Sequence, residues 1–221
     1  MSARTRPTIQ ASAVATGRGD DGTTGLLYGG PRIGKDDPRV EAYGTIDEAV
    51  ATLGVARAAL SADPASMAGR ASSAADGADL AALILRFQRE LFVVGAELAT
   101  TPDAWARLED GRTRVSESML DGVESVLADL EGRITMPNEF VVPGETPASA
   151  ALELARTILR RAERRATTLD REHLVPGRWL LPYLNRLADL VWVMARFAES
   201  VEAAAARPAV EGGRRGGRTP A

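Results

Sequence analysis

Apolar positions recur at intervals of three and four residues through most of this chain, and the repeats fall into five blocks. In residues 148–170, Ala151, Leu152, Ala155, Ile158, Leu159, Ala162, Ala166 and Leu169 line up as one stripe of a long helix. An earlier helix is expected from Asp37 and Pro38 to about Leu60, with Asp37 as N-cap and Pro38 at the first helical position. Thr45 and Glu48 also fit a capping box and allow a later start. Val40, Tyr43, Asp47, Val50 and Gly54 keep helical spacing and favour the earlier one. Residues 78–100 form the next block, with Leu80, Leu83, Ile84, Phe87, Leu91, Val94 and Leu98 inward and Thr101-Pro102 as its stop. Residues 115–130 follow, then 179–204, where Pro182 falls within a turn of the start and is tolerated. No segment reads convincingly as a sheet strand. The pattern predicts an all-α fold, a five-helix antiparallel bundle.

The breaks carry as much information. Residues 1–13 are polar, irregular and expected to be disordered. Residues 16–30 read TGRGDDGTTGLLYGG; six glycines and several hydroxyls favour turns over helix. Such a loop lets backbone N–H groups approach a phosphate, and equally fits a flexible surface turn. Gly17, Gly19 and Gly22 spell G-x-G-x-x-G, but without the preceding strand and following helix of a dinucleotide fold. No G-K-[ST] ending marks a Walker A loop. Residues 61–77 are poor in bulky apolar side chains and read as a flexible insertion; 205–221 read as a disordered Gly/Arg tail. Residues 138–144, NEFVVPG, are a short extended run ended by a Pro-Gly turn. On periodicity alone its Phe140 is a plug between helices.

Composition narrows the function. With 221 residues the chain is long enough for one sizeable domain. A net charge of −3 argues against a general nucleic-acid binder. No cysteine means no disulfide, thiolate metal site or Cys nucleophile, and the lone His173 excludes a multi-histidine centre within one chain. No run approaches the roughly 20 apolar residues of a membrane span, and the N-terminus lacks an apolar signal core. A cytoplasmic location is expected.

The polar faces of the last two blocks then draw attention. Arg156, Arg160, Glu163 and Arg164 point the same way from one helix. Three guanidiniums around one carboxylate suit a polyanion, since Arg matches phosphate geometry; a solvated face with internal Glu–Arg pairs is the plainer alternative. Asn185, Asp189 and Arg196 share a face of the final helix, with Arg186 adjacent. Asp47 lies among apolar and small residues; buried there, it would need a cationic partner.

Four segments in order, TGRGDDGTTGLLYGG, KDDPRVEAYGTIDEA, FVVPG followed by LARTILRRAERR, and YLNRLADLVWVMAR, resemble the PduO-type ATP:cob(I)alamin adenosyltransferases along roughly residues 14–200. The resemblance implies that 14–204 form the adenosyltransferase domain, a five-helix bundle assembling as a homotrimer with a site at each subunit interface. It implies that Thr16, Gly17, Arg18, Gly19, Thr24, Gly25 and Lys35 hold ATP from the loop of one subunit. Arg160, Glu163, Arg164 and Asn185 hold it from the helices of another. It pairs Asp47 with Arg156 across the interface, sets Phe140 against the lower face of the corrin, and puts Arg186 and Asp189 on the cobalamin side. The reaction implied moves the 5′-deoxyadenosyl group of ATP to the cobalt of cob(I)alamin and releases triphosphate. Cobalt is the nucleophile, so no Ser, Cys or His is needed. Lys35, Arg160 and Mg²⁺ would stabilise the leaving group, with Glu163 helping to place the metal or the sugar.

The sequence departs from the usual family pattern in two places. The loop is T-G-R-G-D-D-G rather than T-K/R-T-G-D-x-G, which loses hydroxyl contacts from position 18, and Glu145 stands where Gly is frequent. Two other functions compete: an adenosylcobalamin-binding protein delivering to a dependent mutase, and an ATP-binding regulatory trimer. A reductase is a further expected partner.

Overall fold

The computed structural model describes residue 15, residues 17–62 and residues 71–206. The expectations for residues 1–13, for Thr16, for 63–70 and for 207–221 lie outside them. Within this range the chain is mostly helical. The helices are α1 (Pro38–Ala62), α2 (Ala71–Leu98), a short 3-10 helix (Pro102–Arg107), α3 (Glu117–Arg133), α4 (Pro147–Arg171) and α5 (Leu180–Ala206).

Local sequence explains the starts. The Asp37 carboxylate accepts from the Arg39 N–H at 2.8 Å, so α1 takes the earlier of its two starts. Thr45 is buried mid-helix and its hydroxyl donates to the Glu41 carbonyl. α4 begins with a reciprocal cap: Thr146 accepts from the Ser149 N–H, the Ser149 hydroxyl accepts from the Thr146 N–H, and Pro147 follows the cap.

Three expectations need correction. α2 begins at Ala71, so helical backbone covers part of the segment read as a flexible connection. Two short strands, β1 (Thr23–Thr24) inside the glycine-rich loop and β2 (Ile33–Gly34) just after it, pair antiparallel, with Thr23 opposite Gly34. The buried stripe of α1 is Ala42, Ile46, Ala49, Leu53 and Ala56, one position out of phase with the expected one. Asp47 therefore faces outward and is exposed, which removes the argument from burial for its cationic partner.

The core joins all five α-helices, and every position of the expected α4 stripe is buried. Cross-helix contacts give their directions. Arg161 pairs with Glu48 and Arg165 with Glu41, so α4 runs against α1. Gln88 donates to Val50 and Arg39 to Leu98, so α2 also runs against α1. Tyr183 reaches Glu90 near the start of α5, which runs against α2. α3 lies alongside α5 in the same direction, with Glu124 on Arg186 and Arg133 over the Phe197 ring.

Two buried charges knit the end where α1 begins. The Arg39 guanidinium donates to the carbonyls of Leu98, Thr100 and Leu174, satisfying the last turn of α2. Glu97, fully buried, accepts from the Val115 N–H at 2.7 Å and packs so tightly on Gly177 that a Cβ there would collide with it. Burial pushes the Glu97 carboxyl up to about 7, against the pull of the backbone donors.

Candidate active site

The glycine-rich loop is an ordered hairpin over its described residues. Gly17 and Gly22 have φ of +68° and +82°, values that favour glycine. Gly19 is needed for close approach: a Cβ would lie 3.0 Å from Lys35 Nζ and 3.1 Å from the Thr23 carbonyl. Two cations lace the loop. Lys35 Nζ donates to the Gly19 carbonyl at 2.8 Å, and Arg32 donates to the carbonyls of Arg18 and Thr23 and to the Thr23 hydroxyl. Hydrogen bonds from Thr23 hold the Asp21 carboxyl below its usual range. The hairpin is fastened to the helices through Leu27 N–H on the Ala99 carbonyl and through Thr24, whose hydroxyl meets the Tyr43 phenol. Burial raises the Tyr43 pKa despite that contact.

The helix-borne candidates form a second group. Arg156, Arg160, Arg186 and Asp189 line one cavity of about 360 Å³ between α3, α4 and α5. Arg186 is held by Glu124 and Asp189, each at 3.1 Å, and the Glu124 contact leads in raising its pKa. A second cavity of about 500 Å³ is lined by Phe140, Asn138, Val141 and Glu153, and shares Arg156 and Trp192 with the first. The two spaces therefore adjoin. Phe140 is fully exposed, so the plug reading fails: its loop swings the ring out of the core.

Arg160, Arg164 and Asn185 are exposed and Glu163 half-buried; none of these side chains makes a hydrogen bond or ion pair among the described residues. Glu163, Arg164 and Asn185 line neither cavity. Internal Glu–Arg pairing, the plainer alternative for this face, holds only for Arg156, which pairs with Glu153. Asp47 likewise makes no hydrogen bond or ion pair, and Arg156 and Asp47 are not joined within the chain.

Sequence reasoning missed Arg32, Glu153 and Trp192 as site-lining or site-bracing residues. Glu153 had a signal, since it stands one turn before Arg156. Trp192 is half-buried and borders both cavities.

A family model described as cobalamin adenosyltransferase matches residues 14–198. The chain belongs to that family. A corrinoid adenosyltransferase of Citrobacter freundii is 37% identical over 187 residues, 85% of this chain and 95% of that protein. A second protein of the same organism, named corrinoid adenosyltransferase PduO, is 34% identical over 184 residues. The alignment covers 83% of this chain and 49% of that relative, so this family member spans about half the length of that longer protein. Among solved structures, a variant PduO-type ATP:corrinoid adenosyltransferase from Lactobacillus reuteri, complexed with cobalamin and ATP, is similar with a TM-score of 0.70 and 28% identity. The likeness covers 86% of this chain and 92% of that one. The described residues contain no helix long and apolar enough to cross a membrane.

Proposed function

We propose that the adenosyl transfer of the family, from ATP to the cobalt of cob(I)alamin, runs here in a five-helix bundle that assembles as a homotrimer. Each site would be shared between two protomers. The activity follows from family membership; the residues and the assembly are this proposal. The observation that carries it is the exposed cationic face of α4, Arg160 and Arg164, beside a cavity that opens past Arg156 onto Phe140.

The hairpin of one protomer, with Gly17, Arg18, Gly19, Thr24, Gly25 and Lys35, binds the triphosphate, joined by Thr16. Arg160, Glu163, Arg164 and Asn185 of a neighbour bind it from the other side. Within one chain the hairpin is fastened to the ends of α1 and α2, whereas the α4 cavity opens toward α3 and α5. A shared site would bring the two together. Val55 on α1 and Leu154 on α4 are both more than half exposed and supply apolar surface for such a contact. Asp47 and Arg156 would meet across it.

Among the described residues no cluster of three or more His, Asp or Glu side chains would hold a metal by itself. Mg²⁺ would instead arrive on the ATP phosphates, with the half-buried Glu163 carboxylate as its protein contact. The metal would help neutralise charge on the phosphates. Lys35 and Arg160 do the same with N–H donors aimed at the leaving triphosphate. Phe140 covers the lower face of the corrin and keeps water from the cobalt; Arg186 and Asp189 contact the corrin periphery. A mutase receiving the product and a reductase supplying Co(I) remain expected partners.

The test is the absorbance change on forming adenosylcobalamin from ATP and reduced cobalamin. Multiple turnovers are expected, with kcat/KM for ATP lowered by about 10- to 100-fold in Arg160→Ala, the worth of one charged hydrogen bond. Product formed once per site and then no more would favour delivery instead.

A further inference from the structure

Arg156 occupies the seam between the two cavities, and something must fix a side chain that long. Its Nε donates to Glu153 Oε2 at 2.7 Å. Glu153 is only 4% exposed, so this contact is shielded from water. The other Glu153 oxygen accepts from Arg196 Nη2 at 3.2 Å, and the same Arg196 nitrogen reaches Glu199 at 3.0 Å. Arg196 is itself buried, and its guanidinium lies 5.5 Å from the centre of the Trp192 ring, which borders both cavities. A carboxylate on α4 is thus clamped by a cation on α5 and in turn holds Arg156 by one edge.

We propose that Glu153 is a positioning residue for the transfer reaction. It locks the Arg156 guanidinium by its Nε edge, so that the two terminal nitrogens are presented where the phosphate-binding face meets the corrin-side cavity. Those nitrogens stay available to the corrin side chains, or to Asp47 of a neighbouring protomer, so the contact is compatible with the inter-subunit pair. This inference rests on the function proposed above, because it concerns what Arg156 does there. The chemistry of the brace favours it: a guanidinium held through Nε keeps its planar fork pointing outward, which a lysine at 156 would not do. Sequence proximity alone would make the Glu153–Arg156 pair one of many i,i+3 contacts. Burial and the second cation set it apart.

The experiment is a double-mutant cycle between Glu153→Gln and Arg156→Gln, read by KM and kcat for cobalamin and by thermal melting. Glu153→Gln is expected to lower kcat/KM for cobalamin about tenfold, mainly through KM, and to lower the melting temperature as well, because the buried Arg196 loses counter-charge. Added to Arg156→Gln, it should change nothing further beyond about twofold. Losses that multiply in the double variant, or a fall in melting temperature with unchanged kinetics, would overturn the proposal. Since Glu153→Gln leaves the buried Arg196 with less counter-charge, the cycle is repeated in an Arg196→Gln background. A readout independent of turnover is the Arg156 Nε–H resonance in ¹⁵N spectra. It should exchange slowly in the parent protein and rapidly in Glu153→Gln; rapid exchange in both would sink the brace. An unmodified protein that forms no adenosylcobalamin, yet shows the protected resonance, would refute the proposed function and leave the brace standing.

Discussion

Phe140 shows how one side chain is exposed for a reason. A fully exposed phenylalanine gains nothing from the hydrophobic effect in the isolated chain, so its place at the mouth of the larger cavity fits an apolar ligand surface. Phe140→Ala is expected to leave ATP affinity unchanged by calorimetry while slowing reduction of bound cob(II)alamin and overall turnover. Unchanged turnover would remove that role. Glu97 is the opposite case, a carboxyl held entirely inside. Its folded pKa of about 7 lies above the unfolded 4.5, so the folded state binds the extra proton between those values. Stability from this group is full below about pH 4.5, declines as pH rises toward 7 and is flat above. The span corresponds to roughly 3 kcal/mol. Melting curves from pH 4.5 to 8 should show this decline in the parent protein and a flatter profile in Glu97→Gln. Identical profiles would mean the carboxyl titrates normally.

At the level of elements, the hairpin and the helices are stabilised differently. The helices rest on apolar stripes and caps, whereas the hairpin has two residue pairs of sheet and is laced by Arg32 and Lys35. Its geometry therefore depends on small residues at the crossing points. Gly19→Ala would push against both Lys35 and the Thr23 carbonyl. It is expected to raise KM for ATP several-fold with a small change in melting temperature, because the hairpin contributes little to the core. Steady-state kinetics over an ATP series would check this, and an unaltered KM would argue that the loop does not bind the nucleotide.

For the whole molecule, the question is whether one chain suffices. Val55 on α1 and Leu154 on α4 are exposed apolar residues, and Asp47 on α1 makes no hydrogen bond or ion pair among the described residues. If the proposed trimer forms, a Val55→Asp, Leu154→Asp double variant should shift the particle to monomer by light scattering and lose at least tenfold in kcat/KM. A monomeric parent protein with full transfer activity would refute the shared site.

The helices were readable because their periodicity is local. Asp37-Pro38 and Thr146-Pro147 carry their own caps, and the α4 stripe is continuous enough to fix which face turns inward. The face of α1 was not readable in the same way. Its core side is carried largely by Ala42, Ala49 and Ala56, whose small side chains mark it less strongly than Val40, Tyr43 and Val50 mark the neighbouring one. The glycine-rich loop and the cationic α4 face were visible as chemistry, and the ordered resemblance of four segments named the reaction. The pairing of β1 with β2, the exposure of Phe140 and the clamp of Glu153 by Arg196 join residues distant in sequence or depend on how loops leave the core. Only tertiary packing decides such contacts, because no local periodicity encodes which distant groups will share a low-dielectric interior.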